Sequence, residues 1–171
     1  TNAFGAGAYA KTGAKNYAIR QVAGYRVGLF ALEGEESYGY CKNSDLTRMD
    51  CAEVARVYAR FLKEEKGCDL VIAISHCGME EDRATARAQE GFLDVIQNAH
   101  DHLAYDQPIV ENGVIMTSTG CYAQNLGVLS LQKISAGWTW VPEETCCYEL
   151  TKAYDYEDPR DLSPEALAYR S

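Results

Sequence analysis

Five consecutive apolar residues, Leu70-Val71-Ile72-Ala73-Ile74, stop abruptly at Ser75-His76-Cys77-Gly78, and this run constrains the chain more than any other feature. A short stretch without a polar face reads as a central strand covered on both sides, because a half-exposed strand would alternate. Its polar end lies where open α/β sheets place their chemistry, at the carboxyl edge of the strands. Upstream, Asp50 and Glu53 make a DxxE start resembling a capping box, Val54, Val57, Tyr58, Phe61 and Leu62 recur at helical spacing, and Gly67 supplies a stop. The spacing predicts a helix over 50–66 whose stripe is core.

The remaining elements follow from the same rules. Tyr17 to Val22 and Tyr25 to Leu32 read as two strands turning at Ala23-Gly24, and YRVGLFAL is apolar enough for burial on both faces. Glu80 to Glu90 reads as a helix closed by Gly91, and FLDVIQNA as a strand ending at His100-Asp101-His102. Short strands are then expected at Ile109 to Val110, Val114 to Thr117, Leu126 to Ile134 and Trp138 to Val141, with turns at Asn112-Gly113 and Ala136-Gly137. Trp138 and Trp140 would share one face and pack as core. The fold class expected is α/β, a sandwich. Residues 1 to 16 read as an irregular lead, and DPRDLSPEALAYRS as a tail whose Ser163-Pro164 starts a short helix.

Composition narrows the function. With 171 residues, 47% of them apolar, the chain can build one continuous core. A formal charge of -9 repels a phosphate backbone, so a nucleic-acid polymer is not an expected partner. A small phosphorylated substrate stays compatible, since bound cations neutralise phosphate locally. No apolar run approaches the roughly 20 residues of a membrane helix. Seven cysteines without a CxxC pair argue against a complete disulfide framework or a zinc ribbon and read as free thiols in a reducing setting, with one disulfide left open. Cys77 reads as a small, partly buried residue rather than a nucleophile. The chain begins at Thr1 without an initiator Met or an export signal, which suggests that a segment upstream is missing.

The three histidines all fall in polar turns at strand ends, His76 in SHCG and His100 and His102 in AHDH. On an extended backbone an HxH pair points both rings to one side, roughly 6 to 7 Å apart. Imidazole suits zinc, manganese and iron alike, so the three read as metal ligands of open identity. Asp101, Asp106 and Glu111 read as solvated acids.

The segments CDLVIAISHCGMEEDRATARA, FLDVIQNAHDH and IVENGVIMTSTGCYAQNLGVLSL, in this order, resemble the second half of the calcineurin-like metallophosphoesterase domain of 5'-nucleotidases and 2',3'-cyclic-nucleotide phosphodiesterases. The resemblance runs from about Tyr17 to Ile134. It implies a partial four-layer α/β/β/α sandwich, with 1–153 as the C-terminal part of that domain and 154–171 as a tail. It also implies two divalent ions (Zn, Mn or Fe), His76 and His100 serving one and His102 the other, with Asn125 and Gly120 shaping the substrate mouth. The implied activity is hydrolysis of a phosphoester on a small substrate, a nucleotide above all, in an extracytoplasmic setting.

Two departures from the family pattern bear on this. Ala99 stands where the family has Gly before its HxH motif, and the motifs DxH, GD and GNH[DE] are absent. Those motifs supply the bridging carboxylate, an Asn ligand and an assisting histidine. The chain therefore implies a missing N-terminal half as partner, or else a noncatalytic metal- or nucleotide-binding module of the same fold. A zinc hydrolase with one ion on three imidazoles also satisfies the histidine count.

Overall fold

The computed structural model describes residues 2–4, 13–41 and 46–150. In chain order the elements are β1 (Ala3–Phe4), β2 (Ala18–Val22), β3 (Tyr25–Glu33), α1 (Glu35–Gly39), β4 (Thr47–Arg48), α2 (Cys51–Glu64), β5 (Leu70–His76), α3 (Met79–Arg87), β6 (Val95–Gln97), β7 (Ile109–Glu111), β8 (Val114–Thr117), β9 (Asn125–Val128), β10 (Leu131–Ile134), β11 (Gly137–Trp140) and β12 (Cys146–Glu149). The tail expected to carry a short helix lies outside the described residues. Among the described residues, no helix is long and apolar enough to cross a membrane.

Six strands form the main sheet, in the order β2-β3-β5-β6-β8-β7. The inner four, β3, β5, β6 and β8, are parallel, and antiparallel strands β2 and β7 close the edges. The β2–β3 hairpin turns through Ala23 and Gly24, with φ of 51° and 85°; two successive positive φ values match the right-handed strand twist.

Strand alternation sorts the core into two layers. Phe30, Leu32, Val71, Ala73, Ile96, Val114 and Met116 face α2 and α3, meeting Val54, Ala55, Ala59 and Leu62. On the reverse face Val27, Leu70, Val95 and Ile115 meet Leu129, Leu131, Trp138 and Trp140. The apolar run of β5 is thus covered on both faces, as its lack of alternation demands, except toward its carboxyl end, where Ile74 is 52% exposed. The two tryptophans do share a face, the β10–β11 hairpin pairing Leu131 with Trp140 and Lys133 with Trp138. Trp138 also donates its indole N–H to the Asp69 carbonyl at 2.8 Å.

Helix α2 starts where its sequence says: Asp50 accepts from the Glu53 amide at 2.9 Å, and Gly67, at φ 63°, ends the segment. Two expected elements differ. Leu126 to Ile134 is not one strand but two, β9 pairing with β12 and β10 with β11, because the chain leaves one ladder at Leu129-Ser130 and enters another. FLDVIQNA contributes only Val95–Gln97 to the sheet. Asp94 leaves the pattern because its carboxylate is committed elsewhere, to the Val71 amide at 2.7 Å and the Lys63 ammonium at 2.7 Å.

Leu62 is fully buried in the core beside Gly28, where an added Cβ would stand 3.1 Å from its Cδ1. Leu62→Ala should therefore lower the unfolding free energy by about 2–5 kcal/mol. Asp50→Ala, which removes only an exposed cap, should cost about 1 kcal/mol. Urea titration of the two variants checks the order; an equal loss from both would refute this assignment of core and cap.

Candidate functional site

Because the inner strands run parallel, their carboxyl ends converge on one rim. Glu33 of β3 stands in register with His76 of β5, and Gln97 of β6 with Ile74 of β5 and Thr117 of β8. The loop Asn98 to His102 follows β6, and the loop from Ser118 to Gln124 follows β8. All three histidines therefore lie at the same sheet edge.

The structure brings two of them into contact. The rings of His76 and His100 have centroids 5.1 Å apart at an interplanar angle of 75°. With each ring nitrogen about 2.1 Å from one tetrahedral ion, ring centroids would fall roughly 5 Å apart, so the pair suits a shared cation. His102 packs instead against Tyr122, with centroids 5.2 Å apart. The three imidazoles do not gather their ligand atoms within 4.8 Å of one another among the described residues, which speaks against a single ion on all three.

Both histidines of the HxH pair adopt positive φ, 96° at His100 and 58° at His102. Such a conformation in a non-glycine residue costs about 1–3 kcal/mol and persists where surrounding bonds impose it. Those bonds are present. Asn98 donates to the Thr117 carbonyl at 2.8 Å, Gly78 to the Ala99 carbonyl at 3.1 Å, Tyr105 to the Ser118 carbonyl at 3.0 Å and Gly120 to the Leu103 carbonyl at 2.8 Å. Ala99, which stands where the family has Gly, is not among the residues of positive φ.

Asp101, expected to be a solvated acid, has a definite task. Its carboxylate accepts from the Met79 amide at 2.5 Å, at the first turn of α3, where unpaired backbone N–H groups favour an anion. A Cβ on Gly78 would stand 2.8 Å from Asp101 Oδ1, so this contact requires glycine there. Glu111, another expected solvated acid, pairs with Arg83 and Arg87 on the helix side. Glu36, which the sequence did not single out, approaches His100 Nε2 at 3.4 Å from the first turn of α1.

Beneath the rim lies a polar hub. Asp82, fully buried on α3, accepts from Ser75 Oγ at 2.6 Å and from Asn98 Nδ2 at 2.5 Å, while Ser75 Oγ accepts from the Cys77 amide at 3.2 Å. One carboxylate thus ties the residue before His76 to the start of the loop bearing His100 and His102. Burial pushes the Asp82 carboxyl up to about 6, against the opposing pull of its hydrogen bonds from Asn98 and Ser75. The sequence did hold a signal for it: Met79, Asp82, Thr85 and Ala86 form the buried stripe of α3, and an acid on such a stripe needs partners.

Gly120 and Asn125 are adjacent. A Cβ at Gly120, where φ is 78°, would lie 2.8 Å from Asn125 Nδ2, and that amide donates to the Thr119 carbonyl at 3.1 Å. The pair shapes the loop beside His102 and Tyr122. Cys77 is buried, and its hydrogen bond with Cys51, reinforced by burial, holds its thiol well above the ordinary range, which disfavours a nucleophilic thiolate.

No family model matches the chain. Over 81 residues it is 27% identical to the apyrase of Aedes albopictus, an alignment that takes in 47% of this chain and 14% of that protein. Its fold superposes on the NAD nucleotidase NadN of Haemophilus influenzae with a TM-score of 0.74 at 20% identity, covering 90% of this chain and 34% of that one. It superposes on the 5'-nucleotidase precursor of Thermus thermophilus with a TM-score of 0.76 at 18% identity, covering 99% of this chain and 35% of that one. The chain resembles the 5'-nucleotidase-type metallophosphoesterases. It spans about a third of the length of these two structures and a seventh of the apyrase.

The Asp82 shift fixes a pH dependence. Its folded value of about 6 exceeds the unfolded value near 3.9, so the folded chain binds this proton more tightly. The associated stability is full below pH ~4 and is lost as pH rises through ~6. Asp82→Asn removes that titration, so the stability gap between wild type and variant should shrink by about 2 kcal/mol between pH 4 and 6. Urea unfolding of both proteins across that range measures it; a constant gap would contradict the hub as described.

Proposed function

We propose that this chain is the C-terminal part of the catalytic domain of a metal-dependent phosphoester hydrolase acting on nucleotides or related small phosphoesters. The observation that carries the reading is the His76–His100 ring contact at the carboxyl edge of a sheet with the 5'-nucleotidase fold. His76 and His100 would hold one divalent ion and His102 the second. Zinc, manganese and iron all suit these donors. When bound, such a pair of ions activates water for attack on phosphorus and stabilises charge on the phosphoryl oxygens.

The chain's own residues do the positioning. Ser75, Asp82 and Asn98 set the distance between the turn carrying His76 and the loop carrying His100 and His102. Tyr122, 81% exposed beside His102, offers a ring at the mouth, and Gly120 and Asn125 shape the loop that presents it. The carboxylate and Asn ligands of a two-ion site would come from an N-terminal half bearing DxH, GD and GNH[DE]. Those same missing groups define the rival reading, a binding module without catalysis.

The test uses the complete protein. Chelation should abolish hydrolysis of a nucleoside monophosphate or of a 2',3'-cyclic nucleotide, and added divalent ion should restore it. His76→Ala and His102→Ala should each lower kcat by more than about 100-fold, beyond the 10–100-fold loss typical when a group that merely orients a ligand is removed. Full activity in both variants would refute the reading. Metal binding without any hydrolysis would favour the noncatalytic module.

A further inference from the structure

Two buried thiols beside the histidine rim face each other. Cys51, the first residue of α2, and Cys77, the residue after His76, have Sγ atoms 3.3 Å apart and exposures of 1% and 7%. They belong to different elements and lie 26 residues apart in sequence. Both are held in place. Cys51 Sγ donates to the Glu33 carbonyl at 3.3 Å and accepts from Asn2 Nδ2 at 3.2 Å. The backbone of Cys77 sits so close to Gly34 that a Cβ there would be 2.6 Å from Cys77 Cα.

We propose that Cys51 and Cys77 are a disulfide-forming pair that cross-links the start of α2 to the turn following β5. A disulfide spans about 2.05 Å between sulfurs, so the pair must close by about 1.2 Å to form the bond. The step is a two-electron oxidation. Each thiol loses its proton and an S–S bond forms, while a disulfide oxidant such as oxidised glutathione breaks its own S–S bond, takes up the two electrons and leaves as two thiols. Burial shields the pair in the folded protein, so the bond forms as the chain folds or during local opening, and once made it resists reduction.

The same place admits another occupant, a soft cation. Cys51, Cys77 and Glu81 bring ligand atoms within 4.8 Å of one another. The neighbours oppose it. Arg48 pairs with Glu81 and places a guanidinium nitrogen 3.5 Å from Cys51 Sγ, and Glu81 also accepts from the Glu35 amide at 2.9 Å. A cation would have to displace that guanidinium and remain beside its charge, whereas a neutral disulfide leaves the ion pair intact. This inference does not depend on the phosphoesterase reading.

The complete protein, refolded in a glutathione redox buffer so that burial does not block access, would be unfolded with excess alkylating reagent and digested without reduction. Mass spectrometry should find the peptides of Cys51 and Cys77 joined, with the link lost on reduction. Dithiothreitol should lower Tm by about 5–10 °C, and the shift should vanish in Cys51→Ala. The wild-type peptide map decides the matter even if that variant fails to fold. Recovery of both cysteines alkylated overturns the proposal, as does a link from either to a different cysteine. Stoichiometric zinc on the wild type that Cys51→Ala releases would assign the pair to a metal and equally overturn it.

Discussion

The buried carboxylate of Asp82 is the constraint on which the candidate site depends. It lies under the rim with no water-facing surface, and it receives hydrogen bonds from the residue before His76 and from the first residue of the loop bearing the other two histidines. An isolated acid at such a position would be strongly unfavourable, so its partners are as obligatory to it as it is to them. The two histidine-bearing turns are therefore tied through one shared side chain, in addition to the direct bonds from Gly78 to the Ala99 carbonyl and from Met79 to Asp101.

Around this hub the backbone departs from comfort where chemistry is proposed. His100 and His102 occupy conformations that most side chains avoid, and Asp101 between them commits its charge to the first turn of α3. The strain and the cap belong together. A loop that turned more easily would not deliver both imidazoles and the capping carboxylate from the same three residues.

Much of this was legible in the sequence, and the limits have physical reasons. The α2 boundaries, the doubly covered β5 and the three histidines at one edge follow from periodicity, capping and composition, which are local properties. The division of Leu126 to Ile134 between two ladders was not legible, because strand propensity does not say which neighbour a residue pairs with. Nor was the task of Asp101, since an acid in a turn looks the same whether it meets solvent or the start of a helix from earlier in the chain. Asp82 was half visible: its place on the buried stripe of α3 was readable, its partners were not.

The parallel pairing of the inner strands has a consequence for how the molecule comes to exist. The β2–β3 hairpin closes over two residues, but β3 meets β5 only by bringing Val27 to Leu70 across the whole of α1 and α2. Loop-closure entropy must be met before such a ladder rewards it, so this pairing costs more to close than the local hairpin. The histidine edge is defined only by the β3–β5–β6–β8 ladder, so it is complete only when these long-range pairings are. A cation that recognises this edge consequently selects the finished sheet and stabilises it by mass action, rather than nucleating its assembly.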